Sequence, residues 1–324
     1  MIKYIIKRIF QGILALFILC TLIFFLFRLL PADPTAALLD GSLDTRSVER
    51  IIERFGLDLP LYKQYYIYLK NIILEGDFGI SFFYRKSVIE ILKSKILNTI
   101  VLTFPIIIFS YFFGMIVGAM MAWKRGKLFE ISGIIFSLVF RAAPQFWMGM
   151  ISLMLFAFHF RWFPSSGMRE IGYEVSSVFD KYISLDFLHH LILPVTVGVL
   201  HIFGKPALLM RNSLLDVMNE PYIEMATAKG LSEWRILFVH AARNALLPVS
   251  TNFATAIGRA IGGIVMIEYV FSWPGIGREI VLSATRYDYP LAQAAFLMLA
   301  TIIIIMNIIA DILYSFLDPR IVYK

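Results

Sequence analysis

Charged side chains lie inside apolar stretches of the chain, where they could bring chemistry into an oily medium. Arg141 falls near the middle of one stretch and Arg259 near the middle of another. Lys205 and Asp311 sit toward one set of ends, and Glu268 toward the other. A charge at the centre of a bilayer costs at least ~2.5–3.5 kcal/mol on insertion scales, so such residues face a protein interior or water. Snorkelling or local pairing accounts for Lys205, Asp311 and Glu268. Arg141 and Arg259 are too far from either end for that. A guanidinium offers a planar fork matched to carboxylates, so these two are the candidates to line a polar path and meet a carboxylate.

Other chemistry is missing. His189-His190 stands at the edge of one apolar stretch and His201 inside it, without metal-ligand spacing. A lone histidine in such a stretch is the expected packed or hydrogen-bonded kind. Cys20 is the only cysteine and reads as a small apolar filler. No G-x-x-x-x-G-K-[ST] occurs: Gly126-Lys127 lacks the upstream glycine and the following hydroxyl, and Gly204-Lys205 runs into Pro206. Gly275-x-Gly277 does not continue to a dinucleotide fingerprint, and neither H-E-x-x-H nor G-x-S-x-G is present. No catalytic, cofactor-binding or metal-binding residues are assigned. Energy for any work must come from a separate ATPase or an ion gradient.

The elements that position these residues follow from composition. The chain is 59% hydrophobic and only 16% charged, with mean hydropathy +0.75. A soluble domain is about a quarter charged, so this is a polytopic membrane protein. Its net charge of +7 sits at the borders of apolar runs, which favours an anionic lipid surface over nucleic acid.

The pattern predicts an all-α bundle of about six transmembrane helices. Residues 1–30 form a basic N-terminus and a first span, too long for the ~7–15-residue core of a signal peptide. Residues 31–97 are polar, with amphipathic helices expected over 45–55 and 61–74 and a turn at Gly76-Asp77-Phe78-Gly79. Residues 98–318 hold the remaining spans, at about 98–123, 129–158, 190–210, 247–271 and 291–317, and 319–324 is a tail. Lys124, Arg125 and Lys127 mark an inside loop, which places both termini in the cytoplasm and 31–97 outside. Pro105, Pro144, Pro194 and Pro206 each remove a helical hydrogen bond. Gly114-x-x-x-Gly118 and Gly258-x-x-x-Gly262 offer small faces for close helix approach.

One polar segment, 219–248, separates the fourth span from the fifth and reads as two short helices. Asn219 is the expected N-cap, with Glu220 and Pro221 in the first turn. Lys229-Gly230 is a stop signal. Ser232 is expected to cap a second helix that ends by Leu247, since Pro248 disfavours helical geometry in the residue before it.

Glu224-Met225-Ala226, then Gly230 and Leu247-Pro248, resembles the EAA loop of ATP-binding-cassette (ABC) importer permeases. Tyr222-Ile223-x-x-Ala226-x-Ala228-Lys229-Gly230-Leu231-Ser232 followed by Arg243-Asn244-Ala245-Leu246-Leu247-Pro248 is similar to the dipeptide/oligopeptide/nickel branch, in its first-permease type. So are Pro31-x-Asp33-Pro34, Gly79-x-Ser81, Glu268-x-x-Phe271-x-x-Pro274-Gly275-x-Gly277 and Asp318-Pro319-Arg320.

The resemblance implies a type I importer fold in a bacterial or archaeal plasma membrane. It implies a second homologous permease, two ATP-binding subunits that carry ATP and Mg, and an extracytoplasmic substrate-binding protein, with peptides as the solute. It assigns Tyr222, Glu224, Ala226, Ala228, Lys229, Gly230 and Leu231 to the coupling loop. Nickel or a metal chelate is the alternative solute. A gradient-driven transporter would call for internal repeats with broken helices, and no convincing repeat is visible. An intramembrane enzyme would call for a nucleophile–base pair that the chain does not offer.

Overall fold

The computed structural model describes residues 2–29, 59–173 and 177–317. The helix expected over 45–55, the Pro31-x-Asp33-Pro34 motif and the terminal Asp318-Pro319-Arg320 lie outside the described residues. Among the described residues the architecture is helical, and the only strand-like pairing is an isolated bridge between Ile80 and Ser87.

The first span is α1, Ile2–Leu29. The amphipathic stretch expected over 61–74 is α2, Leu61–Lys70, extended by a π-helical turn Asn71–Glu75. Gly76 and Gly79 follow with positive φ and turn the chain back. Helix α3, Val88–Trp123, starts ten residues before the expected span. Helices α4 (Leu128–Ala142) and α5 (Gln145–Ser152, continuing as a π-helical turn to His159) come next. A short helix α6, Val178–Ile183, leads to α7, Leu185–Met218. Helix α8, Pro221–Ala228, and a helical segment from Glu233 through the π-helical turn Ile236–Ala241 make the polar hairpin. Helices α9 (Ala242–Gly263), α10 (Val265–Val270), α11 (Ile276–Thr285) and α12 (Tyr289–Leu317) complete the bundle.

Among the described residues four helices, α1, α3, α7 and α12, are long and apolar enough to cross a membrane, and the bent pair α4–α5 makes a fifth if it counts as one span. The other expected span is α9, a 22-residue helix made more polar by Ser250, Thr251, Asn252 and Thr255.

Three expectations are corrected. The span over 129–158 is not one kinked helix but two helices meeting at 100°. Ala143 is extended at ψ 133° before Pro144, the geometry a proline imposes on its predecessor. The segment after the hairpin does not end at Leu247. Pro248 lies inside α9, because Ala242, Ala245 and Val249 are buried against the hairpin core and hold the helix through it. Asn219 is not the N-cap of α8 but the C-cap of α7; Glu220 occupies the N-cap and Pro221 the first helical position. Ser232 takes the cap position before Glu233, without a side-chain hydrogen bond.

Both glycine pairs permit close packing. A Cβ on Gly114 would lie 2.8 Å from the Pro206 ring, and one on Gly118 2.8 Å from Met210 Cβ, so α3 rests on α7. A Cβ on Gly258 would collide with Asn307 of α12. Gly204 does the same for α7 and α4, where a Cβ would strike the Ser137 carbonyl.

The end opposite the hairpin is clasped by buried polar groups. Asn98 donates to the Pro274 carbonyl at 2.9 Å, its own carbonyl accepts from Trp273 Nε1, and its side-chain oxygen accepts from Tyr182. Glu268 is fully buried, accepts from the Arg278 N–H, and leaves no room for a Cβ at Gly275. The Glu268–Gly277 motif is thus a packed corner. Asp288 accepts from Ser81 Oγ and from the N–H groups of Phe82, Phe83 and Leu291, which ties the 79–87 hairpin to the start of α12.

Candidate functional site

The break between α4 and α5 opens onto a cavity of about 260 Å³. Its polar lining is Tyr111, Arg141, Gln145, His201 and Lys205; Ala256, Ala260 and Ile264 supply part of the apolar wall. Three local features bring the polar residues there. Arg141 and Gln145 flank Ala143-Pro144, so the break itself brings both to the same place. His201 and Lys205 are four residues apart on α7 and therefore share a face. Tyr111 is held by its hydroxyl donating to Asn252 Oδ1 of α9 at 2.7 Å.

The electrostatics of this wall are one-sided. No aspartate or glutamate lines the cavity among the described residues. Arg141 makes no ion pair or hydrogen bond among them. His201 Nδ1 is buried and has no hydrogen-bond partner. Buried polar atoms are nearly always paired, so this one keeps hydrogen-bonding capacity that the described residues do not use.

The predicted pair is thus only half placed. Arg141 lines the cavity, at the C-terminal end of α4 rather than mid-helix. Arg259 stands on α9 next to Ala260, which lines the cavity, and its side chain lies outside the described residues. The remaining charges pair locally: Asp311 with Arg8 at 3.1 Å, and Glu268 with the backbone of α11. Lys205 instead joins the cavity wall: the helix expected to end near residue 210 runs on to Met218, which puts Lys205 in its interior rather than near an end. His201 was passed over for want of neighbours in sequence; its i+4 relation to Lys205 was the available signal.

The hairpin is the second feature. Ile223 and Ala226 of α8 are buried against Ile236, Leu237 and Ala241 of the returning segment and Leu214 of α7. Gly230 has φ +73° and turns the chain between the two arms. Tyr222 is half-buried and accepts from Asn244 at 2.7 Å. The seven loop residues divide accordingly. Ala226 packs inward, and Tyr222 and Leu231 are half-buried. Glu224, Ala228, Lys229 and Gly230 are exposed. Met225 and Trp234, 56% and 67% exposed, extend that face, and Trp234 stacks on Phe238. Met225 stands in the loop motif but, like Phe238, takes no role of its own from the sequence, because its apolar type reads as core.

The cavity and the hairpin are joined by one continuous helix. Helix α7 carries His201 and Lys205 on the cavity wall and ends at Met218, three residues before α8 begins. Near that end Arg211 donates to Glu130 in the first turn of α4, and the Glu130 carboxylate also accepts from the Gly126 N–H at 2.6 Å. The far end of α4 carries Arg141.

Comparison with known proteins covers the whole chain. Residues 114–323 match the family described as binding-protein-dependent transport system inner membrane component, and residues 1–103 match its N-terminal companion. The chain is 36% identical to the di/tripeptide transport system permease protein DppB of Pseudomonas aeruginosa, over 99% of both chains. It is 36% identical to the oligopeptide transport system permease protein AppB of Bacillus subtilis, over the full length of each. It is 33% identical to the glutathione transport system permease protein GsiC of Escherichia coli K12, again over both full lengths.

Proposed function

Because the chain belongs to the family of binding-protein-dependent transport system inner membrane components, we propose that it is one of two permeases forming the membrane path of an ABC importer for peptides. The hairpin end is the cytoplasmic one. The exposed face of α8, from Glu224 to Gly230 with Met225 and Trp234, docks on an ATP-binding subunit. A substrate-binding protein delivers peptide at the other end, and the cavity beside Arg141, with Arg259 on α9, belongs to the path. ATP and Mg act on the partner subunits.

The observation that carries this reading is the continuity of α7 between cavity and hairpin. A push on α8 reaches α7 directly and reaches α4 through Arg211 and Glu130. Packed interfaces have discrete arrangements rather than continuous deformations, so α4 and α7 moving together would reshape the cavity between them. The chain has no motor of its own, which agrees with a push applied from outside.

The single cysteine makes a clean test possible. In a Cys20→Ala background, a cysteine at Glu224 should crosslink to the ATP-binding subunit in membranes, and ATP should change the yield. Labelling of that cysteine by an impermeant maleimide from the extracytoplasmic side, or uptake by this chain without any ATPase, would overturn the reading.

A further inference from the structure

We propose that the broken span builds a carboxylate subsite, in which Arg141 and His201 together hold the anionic end of the transported molecule. This deepens the importer reading and rests on it. Three observations converge. The cavity wall holds Arg141, His201 and Lys205 and, among the described residues, no acid. Arg141 is exposed to the cavity with its charge unpaired among the described residues. His201 Nδ1 is buried, lacks a partner, and belongs to the same wall.

The chemistry selects the ligand class. A guanidinium presents parallel N–H donors that fit the two oxygens of a carboxylate. An imidazole protonated on Nδ1 adds a third donor, and the Gln145 amide a fourth. The start of α5 adds a favourable field. Pro144 precedes it without a side-chain cap, so the first N–H groups of that helix have no intrahelical acceptor. Half-helices that begin inside a membrane point their positive ends at anionic substrate groups by the same physics. A cationic substrate group would find no counter-charge among the described residues of this wall.

The carboxylate can belong to a free peptide C-terminus or to a metal chelate of an amino acid, and the test separates them. The complete importer, with both permeases, ATP-binding subunits and binding protein, is reconstituted in liposomes. Uptake is measured for a dipeptide, for the same dipeptide amidated at its C-terminus, and for a nickel–histidine complex. The acid-to-amide ratio is then compared between permeases. The binding protein is the same throughout, so its own preference cancels.

Arg141→Gln should lower uptake of the acid about tenfold, the scale of one charge-assisted hydrogen bond, and leave the amide nearly unchanged. His201→Leu should lower the same ratio by a smaller factor, and His201→Gln, which keeps a donor, should restore most of it. A fall in chelate uptake with an unchanged peptide ratio assigns the subsite to the chelate. Equal losses for acid, amide and chelate, or no loss for any, refute the subsite while the importer reading stands. A wild-type complex that moves no peptide, acid or amide, refutes the peptide reading, and one that moves none of the three solutes refutes the importer reading itself. If Arg141→Gln fails to co-purify with its partners, the ratio is read on His201→Leu.

Discussion

Replacing Asp288 by alanine should unfasten the 79–87 hairpin from the bundle without touching the cavity. Asp288 is 1% exposed and Ser81 fully buried. The carboxylate accepts from Ser81 Oγ, from the Phe82 and Phe83 N–H groups at 3.1 and 3.2 Å, and from Leu291 N–H at 3.4 Å as the cap of α12. Losing a helix cap of this kind costs about 0.5–2 kcal/mol. A buried hydroxyl left without its acceptor costs about 1–3 kcal/mol more. The two half-buried amides can turn to water and add less. Because all four donors share one carboxylate, the terms do not sum simply, and about 3 kcal/mol is a fair total. That is roughly a hundredfold in the opening equilibrium of the hairpin. The readout is hydrogen exchange at two amides that do not touch Asp288: Ser81 N–H, which donates to the Lys86 carbonyl, and Val88 N–H, which donates to the Gly79 carbonyl. Both should exchange about a hundredfold faster in Asp288→Ala and about tenfold faster in Asp288→Asn, which keeps one acceptor oxygen. Unchanged exchange at Ser81 and Val88 in the alanine variant would show that the carboxylate does not fasten this hairpin.

Two further outcomes follow from the backbone. Gly204→Ala places a methyl against the Ser137 carbonyl and must push α4 away from α7; its apparent melting temperature in detergent should fall, at a cost of about 1–3 kcal/mol. Gly263→Ala, which meets nothing within 4 Å, serves as the control and should not melt lower. At Gly230 space is free but φ is +73°, so rank order depends on conformation alone. Uptake by the complete importer should fall in the order Gly, Asn, Ala, Val, with about 1–2 kcal/mol of left-handed strain on alanine; equal activity of the asparagine and valine variants would show that the turn is not held in this form.

Much of this architecture is legible in the letters, and the exceptions have physical causes. Gly114 and Gly118, or Gly258 and Gly262, announce a close helix contact, because residues four apart share a face whatever the partner is. Lys229-Gly230 announces a helix end, because a left-handed residue favours glycine wherever it occurs. Prolines carry less information. Pro105, Pro194, Pro206 and Pro248 all sit within continuous helices, and Pro144 alone divides two helices at a right angle. The local rule is the same at all five. What differs is the packing on either side. Before the break, Ser137 of α4 is held against Gly204 of α7. After it, Gly149 of α5 lies against Val270 and Phe271 at the end of α10. The two halves have different partners in different directions, and no single straight helix satisfies both. Ser81 and Asp288 are 207 residues apart, so their bond could not be read from spacing, although Gly79-x-Ser81 stood out as a motif. His201 was discounted for the same reason: its isolation is a property of the sequence, and its company on the cavity wall is a property of the fold. A broken span is tolerated at membrane depth only where protein or a water-filled path satisfies the freed backbone. The cavity at the break supplies such a place. A wall that gathers Arg141, Gln145 and His201 at such a place, with no acid on it among the described residues, fits the proposed anion subsite.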